Sequence, residues 1–129
     1  MFKSVKVSSV LQNDHKTFGK SFLLDGREDT CWSSGEGSPQ SILATLVTPS
    51  TINQISIMFQ GGFAGKLCKL YGRIDSGEWN CLSVFRCADC NLMQRFNVEK
   101  KMVVDEIRIV FEESFDFYGR ITVYLLECA

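Results

Sequence analysis

The sequence predicts an all-β protein, built as an antiparallel sandwich or barrel of seven or eight short strands. Apolar side chains recur at every second position along almost the whole chain, which is the period of a strand with one buried face. Turn-forming residues interrupt this alternation about every 8–12 residues, as in antiparallel sandwiches and barrels. One helical turn is expected at residues 18–24, and no segment has the period of a long helix.

The strands follow from the alternation itself, because one set of side chains faces the core while its neighbours face water. They are expected at residues 42–47, 54–59, 68–75, 81–85, 92–98, 107–111 and 121–126. The turns follow from clusters of glycine, proline, serine and aspartate. They are expected at Ser34–Pro39, Pro49–Ser50, Gly61–Gly62, Asp75–Gly77 and Tyr118–Gly119.

Length and charge limit the classes of function. The 129 residues are expected to form one domain, 1–129. Their net charge is −1, so no overall field would attract nucleic acid or an anionic membrane. No apolar stretch approaches the roughly 20 residues that span a bilayer. We therefore expect neither nucleic acid nor a membrane as a partner.

Few residues could support catalysis. The single histidine, His15, lies in a polar run and is interpreted as a loop residue. Glu112 and Glu113 could imitate the carboxylate pair of a glycosidase. Adjacent residues on a strand point to opposite faces, however, so these two carboxylates would not converge. We expect a protein that is not an enzyme.

The six cysteines are expected to be free thiols. The first residues alternate polar and apolar side chains and lack the apolar run of a signal peptide, which favours the nucleus or cytoplasm, where thiols stay reduced. Cys87 and Cys90 form a C-x-x-C pair that could supply half of a zinc site, but a second pair is missing. Small buried side chains are the simpler interpretation. On air oxidation, Cys87 and Cys90 are the expected partners.

The segment from Phe22 to Ser34 carries a family resemblance. Its Asp25-Gly26 turn, followed by Thr30 and Trp32, resembles the DG-x-x-x-T-x-W segment of discoidin domains, also called coagulation factor V/VIII type C domains. The resemblance covers the chain from Val7 to Glu127. It implies a galactose-binding-domain-like jelly-roll β-sandwich in which the last strand returns near the start of the chain.

In calcium-binding members of that family, an aspartate, a threonine and a late acidic residue hold the ion. Asp25, Thr30 and Glu127 stand at the matching positions. A further ligand position, two residues after the aspartate, is occupied here by Arg27. Because calcium needs six to eight oxygen ligands, this departure argues against an ion. We expect the Arg27 guanidinium to neutralise Asp25 or Glu127 instead, and we expect no other cofactor.

Two further segments narrow the resemblance. Residues 59–63 and 111–121 are similar to those of a small intracellular, nuclear-receptor-associated branch of the discoidin family. That similarity implies a binding module without catalytic machinery, which docks a protein partner and represses the transcriptional activity of a nuclear receptor. We expect this module to be a monomer. The alternative is a carbohydrate-binding module that uses the same loops.

The expected partner-binding residues lie on two loops at one end of the sandwich. The glycine-rich segment 61–65 should present Phe63 outward. The segment 115–120 places three aromatic side chains and an arginine within six residues, the residue types that dominate interface hot spots. These residues are Phe115, Phe117, Tyr118 and Arg120. For Phe115 and Phe117 the alternative remains that they face inward and close the end of the core.

Overall fold

The computed structural model describes residues 2–129, in which nine strands form two antiparallel sheets around one apolar core. The strands are β1 (Phe2–Val7), β2 (Trp32–Ser33), β3 (Gln40–Thr51), β4 (Gln54–Phe59), β5 (Gly65–Arg73), β6 (Asn80–Arg86), β7 (Met93–Asn97), β8 (Val103–Ser114) and β9 (Thr122–Cys128). The order is β1-β3-β8-β5-β6 in the five-stranded sheet and β2-β9-β4-β7 in the four-stranded sheet. The predicted all-β sandwich is confirmed.

The core is built from the side chains that the alternation assigns to the inner faces. In β8, Ile107, Ile109 and Phe111 are buried, whereas Arg108 between them is exposed. Three aromatic rings join the two sheets. The Phe111 ring lies 6.3 Å from that of Trp32 and 5.8 Å from that of Phe59, measured between ring centroids. Such tilted and edge-on contacts add to the energy of burial.

Helical structure is confined to the segment between β1 and β2. Two 3₁₀ turns, Leu11–Asn13 and Lys20–Leu23, flank α1 (His15–Phe18). Helix α1 begins after Asp14, whose carboxylate accepts a hydrogen bond from the backbone N–H of Thr17 at 3.2 Å, and it ends at Gly19. The interpretation of His15 as a loop residue was therefore wrong, because this cap lets the polar run form a helical turn. No helix in residues 2–129 is long and apolar enough to cross a membrane.

The turn predicted at Pro49–Ser50 does not end a strand. It lies within β3, where pairing with β8 is irregular between Thr45 and Ser50 and then resumes. The described part of β1 pairs with β3 no further than Leu46. Pro49 is therefore tolerated at this position, because it lies at an edge of the sheet and its missing N–H removes no hydrogen bond between strands.

The alternation in the last strand also shifts. Phe59 pairs with Val123 and Met58 pairs with Leu125, so Tyr124 is an extra residue in β9. A bulge of this kind reverses the faces of the residues that follow it. Leu126 consequently joins the core cluster, to which strict alternation from Ile121 had assigned Leu125, and Leu125 is buried outside that cluster.

Replacing Trp32 by alanine is expected to lower the free energy of unfolding by about 3–5 kcal/mol. The side chain is fully buried, and its indole N–H donates to the carbonyl of Ser9 at 2.9 Å. Trp32→Phe keeps a ring but removes this donor, so a smaller loss is expected. Urea unfolding followed by circular dichroism measures both, and similar losses for the two variants would contradict this account.

Candidate functional site

The two predicted loops meet at one end of the sandwich. We call residues 60–66 and 114–120 together the rim. The backbone N–H of Phe115 donates to the carbonyl of Ala64 at 3.0 Å, and the N–H of Thr122 donates to the carbonyl of Phe63 at 3.1 Å. These bonds fix the two loops against each other, so the rim is one surface.

The loop 114–120 is built by its own polar groups. The Ser114 hydroxyl accepts from the N–H of Asp116 at 3.0 Å and donates to the carbonyl of Arg120 at 2.7 Å. The Arg120 guanidinium donates twice to the Asp116 carboxylate, at 2.8 and 3.1 Å. Because a bidentate pair fixes orientation, the loop presents its aromatic residues from a defined backbone.

The same pair sets the charge state of Asp116. The hydrogen bond from the Arg120 side chain, helped by the Arg120 backbone N–H, lowers the pKa of the Asp116 carboxyl below its usual value. Burial of this side chain acts in the opposite direction but more weakly. Asp116 therefore stays ionised and holds Arg120 in place at neutral pH.

Aromatic side chains cover the outside of this loop. Phe117 is 93% exposed and meets the Tyr118 ring edge-on, with 5.3 Å between centroids. Phe115 is 39% exposed, and the Lys66 ammonium lies 5.8 Å from its ring. Phe117 and Phe115 therefore do not close the core. The core at this end is filled from the strands, which leaves both rings outside.

Phe63 takes a different place from the one expected. It is half-buried, under the Arg120 guanidinium, whose carbon lies 5.1 Å from the Phe63 ring and 5.5 Å from the Tyr118 ring. Arg120 thus stacks against both rings while it is hydrogen-bonded to Asp116. Phe63 therefore packs on the inner side of the rim, whereas Phe117 and Tyr118 are its exposed aromatic side chains.

A small cavity lies behind Phe63 and Arg120. It measures about 230 Å³ and is also bordered by Gln60 and by serine and threonine side chains. The hydroxyls of Ser33 and Thr122 are hydrogen-bonded to each other at 2.9 Å. Ser34 accepts from the N–H of Ile121 at 2.8 Å. These three hydroxyls already have partners within the protein, so they do not require a ligand.

The glycine turn is anchored rather than free. The N–H of Gly61 donates to the Asn91 side chain at 2.6 Å, and that of Gly62 donates to the Asp89 carboxylate at 2.7 Å. Gly62 has a φ of +91°, which other residues rarely adopt. Beside them, Leu92 is 72% exposed. It was predicted to belong to a strand, but β7 begins at Met93, and Leu92 lies in the segment that is anchored to the glycine turn.

The predicted calcium ligands are only partly assembled. The Asp25 carboxylate accepts from the Thr30 hydroxyl and from the backbone N–H of Arg27. The Arg27 guanidinium bonds Asp29, at 2.6 and 2.8 Å, and not Asp25 or Glu127 as expected. Asp29 is two residues away along the chain, so the guanidinium reaches it bidentately without crossing to β9.

The Glu127 carboxylate forms no ion pair within residues 2–129. Glu127 is exposed on β9, and it borders a cavity of about 370 Å³ that Gly26, Phe2 and Cys128 also line. Across residues 2–129, no three histidine, cysteine or acidic side chains are grouped as a metal site. Both aspartates of the turn already accept hydrogen bonds from this chain, so the donor set does not fit a calcium ion.

The cysteines are arranged differently from the C-x-x-C expectation. All six are free thiols. The sulfur of Cys87 lies 4.0 Å from that of Cys68, inside the core, whereas Cys90 is half-buried. The contact with Cys87, together with burial, raises the pKa of the Cys68 thiol. Cys87 is buried just after β6, and its neighbouring sulfur there is that of Cys68. Pairing of Cys87 with Cys90 on air oxidation stays a prediction.

Removing the Arg27 side chain is expected to leave the melting temperature nearly unchanged, because both Arg27 and Asp29 are largely exposed. Addition of millimolar calcium should likewise shift the melting temperature of the wild type little, compared with magnesium as a control. A large calcium-specific stabilisation in differential scanning fluorimetry would show that the turn rearranges to hold the ion.

Acid should weaken the rim through Asp116. Its pKa is lower in the folded state than the ordinary value of 3.8, so its contribution is complete at neutral pH and is lost as the pH falls through that lowered pKa. The wild type should therefore lose more stability between about pH 7 and about pH 2 than Asp116→Asn does. Urea unfolding at several pH values measures the difference. Equal losses would show that the pair contributes nothing.

Comparison with solved structures identifies the fold. The chain is similar to the family 32 carbohydrate-binding module of NanJ from Clostridium perfringens in complex with galactose, with a TM-score of 0.82, 16% identity and coverage of 97% of this chain and 91% of that one. It is also similar to chitosan-binding module 1 of a chitosanase/glucanase from Paenibacillus sp. IK-5, with a TM-score of 0.82, 20% identity and coverage of 100% and 96%. The galactose-binding-like jelly roll is confirmed.

Comparison with curated sequences identifies the family. No protein-family model matches the chain. It is 45% identical to the nuclear receptor 2C2-associated protein of Xenopus laevis over 122 residues, which cover 95% of this chain and 89% of that protein. It is 34% identical to the human protein of the same name over 121 residues, covering 94% and 86%. The chain belongs to the family of nuclear receptor 2C2-associated proteins.

Proposed function

We propose that the chain is a non-catalytic binding module that docks a protein partner on the rim, with a nuclear receptor as that partner. The observation that carries the proposal is the exposed pair Phe117 and Tyr118, presented by a loop that Asp116 and Arg120 hold rigid. Large aromatic side chains on a preorganised backbone lose little entropy on binding, so they are effective anchors at interfaces.

The name of the relatives supports the choice of partner. Each curated relative compared above is called a nuclear receptor 2C2-associated protein, which describes an association between proteins. The rim offers a largely apolar surface, because its aromatic groups lie around the Arg120 guanidinium, which is already neutralised by Asp116. Such a surface favours an apolar, weakly charged patch on the partner. Action in the nucleus or cytoplasm, as a monomer that represses the receptor, is part of the same proposal.

A second candidate function is carbohydrate binding at the same end of the sandwich. The cavity beside Phe63 and the likeness of the fold to a module solved with galactose favour it. A sugar site needs free hydrogen-bond donors and acceptors, however. The hydroxyls of Ser33, Ser34 and Thr122 are committed within the protein. We therefore give preference to the protein partner.

The proposal predicts that Phe117→Ala and Tyr118→Ala each weaken binding of purified nuclear receptor 2C2 at least about tenfold, as loss of an interface anchor does. Biolayer interferometry with the immobilised receptor measures this, and galactose is titrated in parallel by calorimetry. Melting temperatures should not change, because neither ring belongs to the core.

Val103→Ala is the matched control. Val103 is also an exposed apolar residue on β8, but it lies at the opposite end of that strand from Ser114 and the rim. Its replacement should leave receptor binding unchanged. Receptor binding that is insensitive to both rim variants would exclude the rim as the docking site. Galactose binding that these variants abolish would favour the carbohydrate alternative.

A further inference from the structure

A second surface with distinctive chemistry lies on the outer face of the five-stranded sheet. Three strands place Leu43, Arg108 and Tyr71 side by side, because Arg108 of β8 pairs with Leu43 on one side and with Tyr71 on the other. Lys6 of β1 pairs with Leu43 and extends the row to the sheet edge. All four residues retain some exposure.

Trp79 lies on this face between two cavities. It belongs to the turn between β5 and β6, it is half-buried, and it borders two cavities. Its ring lies 4.3 Å from the guanidinium carbon of Arg73, which also bonds Glu106 at 2.9 Å. Trp79 is therefore fixed by a stacked, ion-paired arginine, and the outer side of the indole faces the cavities.

The cavities flank Trp79 and share Arg108. One measures about 320 Å³ and is bordered by Lys6, Leu43 and Arg73, and the other measures about 230 Å³ and is bordered by Tyr71. Pockets for whole small molecules measure about 300–1,000 Å³. The two adjoining cavities lie at or below the lower end of that range, so their size suits single side chains better than a whole small molecule.

The charge of this face is opposite to that of the chain. A third cavity, of about 450 Å³, adjoins the first at Lys6 and is bordered by His15 and Lys20. Of the residues that the structure describes, no aspartate or glutamate borders any of the three cavities. Even with Arg73 neutralised by Glu106, the lining is basic, although the chain carries a net charge of −1.

Arg108 is the cation most available to a ligand. It is exposed at the centre of the row, and within residues 2–129 it takes part in no ion pair. Arg73, by contrast, is neutralised by Glu106. The guanidinium of Arg108 can therefore accept a carboxylate bidentately, and Lys6 can contact a second one.

We propose that this face, which we call the Trp79 face, binds an acidic, extended segment of a partner protein. Carboxylates of the segment pair with Arg108 and Lys6, while its apolar side chains enter the cavities on either side of Trp79. A peptide fits better than a nucleic acid, because few cations are free and the negative net charge opposes a polyphosphate backbone. The Trp79 face lies on a sheet surface, whereas the rim lies on loops at one end of the sandwich.

The test uses a fluorescein-labelled peptide of alternating glutamate and leucine, read by fluorescence anisotropy with the full chain. Arg108→Glu should weaken binding of this peptide at least about tenfold, because it replaces attraction by repulsion. Arg95→Glu is the matched control. It makes the same charge change at an exposed residue of β7 in the other sheet, so it should leave binding unchanged. If Arg108→Glu unfolds, Lys6→Glu, at an exposed residue, replaces it.

A second readout locates the peptide. Trp32 is fully buried, so iodide quenching of tryptophan fluorescence reports Trp79. The bound peptide should protect Trp79 from iodide, and Tyr118→Ala, on the rim, should change neither binding nor protection. Equal losses in Arg108→Glu and Arg95→Glu, or bound peptide without protection, would overturn the proposal. Tighter binding of a single-stranded oligothymidylate would overturn it in favour of a polyanion site.

Discussion

The contact of Trp32 with Phe111 is the interaction on which the rest of the structure depends. Trp32 belongs to the two-residue strand β2 of one sheet, and Phe111 belongs to β8, at the centre of the other. Because a strand of two residues forms few backbone bonds, burial of its tryptophan is what holds this part of the chain in the sandwich. The same tryptophan fixes the segment after β1 through its bond to the Ser9 carbonyl.

The Phe111 ring also constrains how the rim can be built. A methyl group at Gly65 would lie 2.8 Å from both the Phe111 ring and the sulfur of Cys68. The backbone can therefore pass Phe111 only as glycine, and the residues just before it, Phe63 and Ala64, are brought to the loop 114–120. The position of the aromatic surface is thus a consequence of core packing, and its rigidity comes from the Asp116–Arg120 pair.

The two proposed binding surfaces use different physical means. The rim presents aromatic side chains around an arginine whose charge is already paired, which suits an apolar patch. The Trp79 face presents an arginine and a lysine that form no ion pair within residues 2–129, around a single indole, which suits an acidic segment. A module with both surfaces could engage one partner through a folded patch and through a tail, and each contact would raise the effective concentration for the other.

The sequence by itself determined the sandwich and the segments of the rim. Alternation places Ile107, Ile109 and Phe111 on one face whatever the partner strand, because side-chain direction in a strand is a local property. Both rim loops were also predictable from the local sequence, because glycines indicate a turn and clustered aromatic residues indicate an interface. The bulge at Tyr124 and the strand that continues through Pro49 were not predictable, since both depend on which strand lies alongside.

Only the tertiary structure decided which charged groups meet. Arg27 reaches Asp29, Arg120 reaches Asp116 and Arg73 reaches Glu106, and sequence reasoning had proposed different partners or none. Trp79 gave no signal beyond a tryptophan near a turn, because its place depends on β5, β8 and β3 lying side by side. Ion pairs and surface clefts arise from residues distant in the chain, so no local pattern contains them.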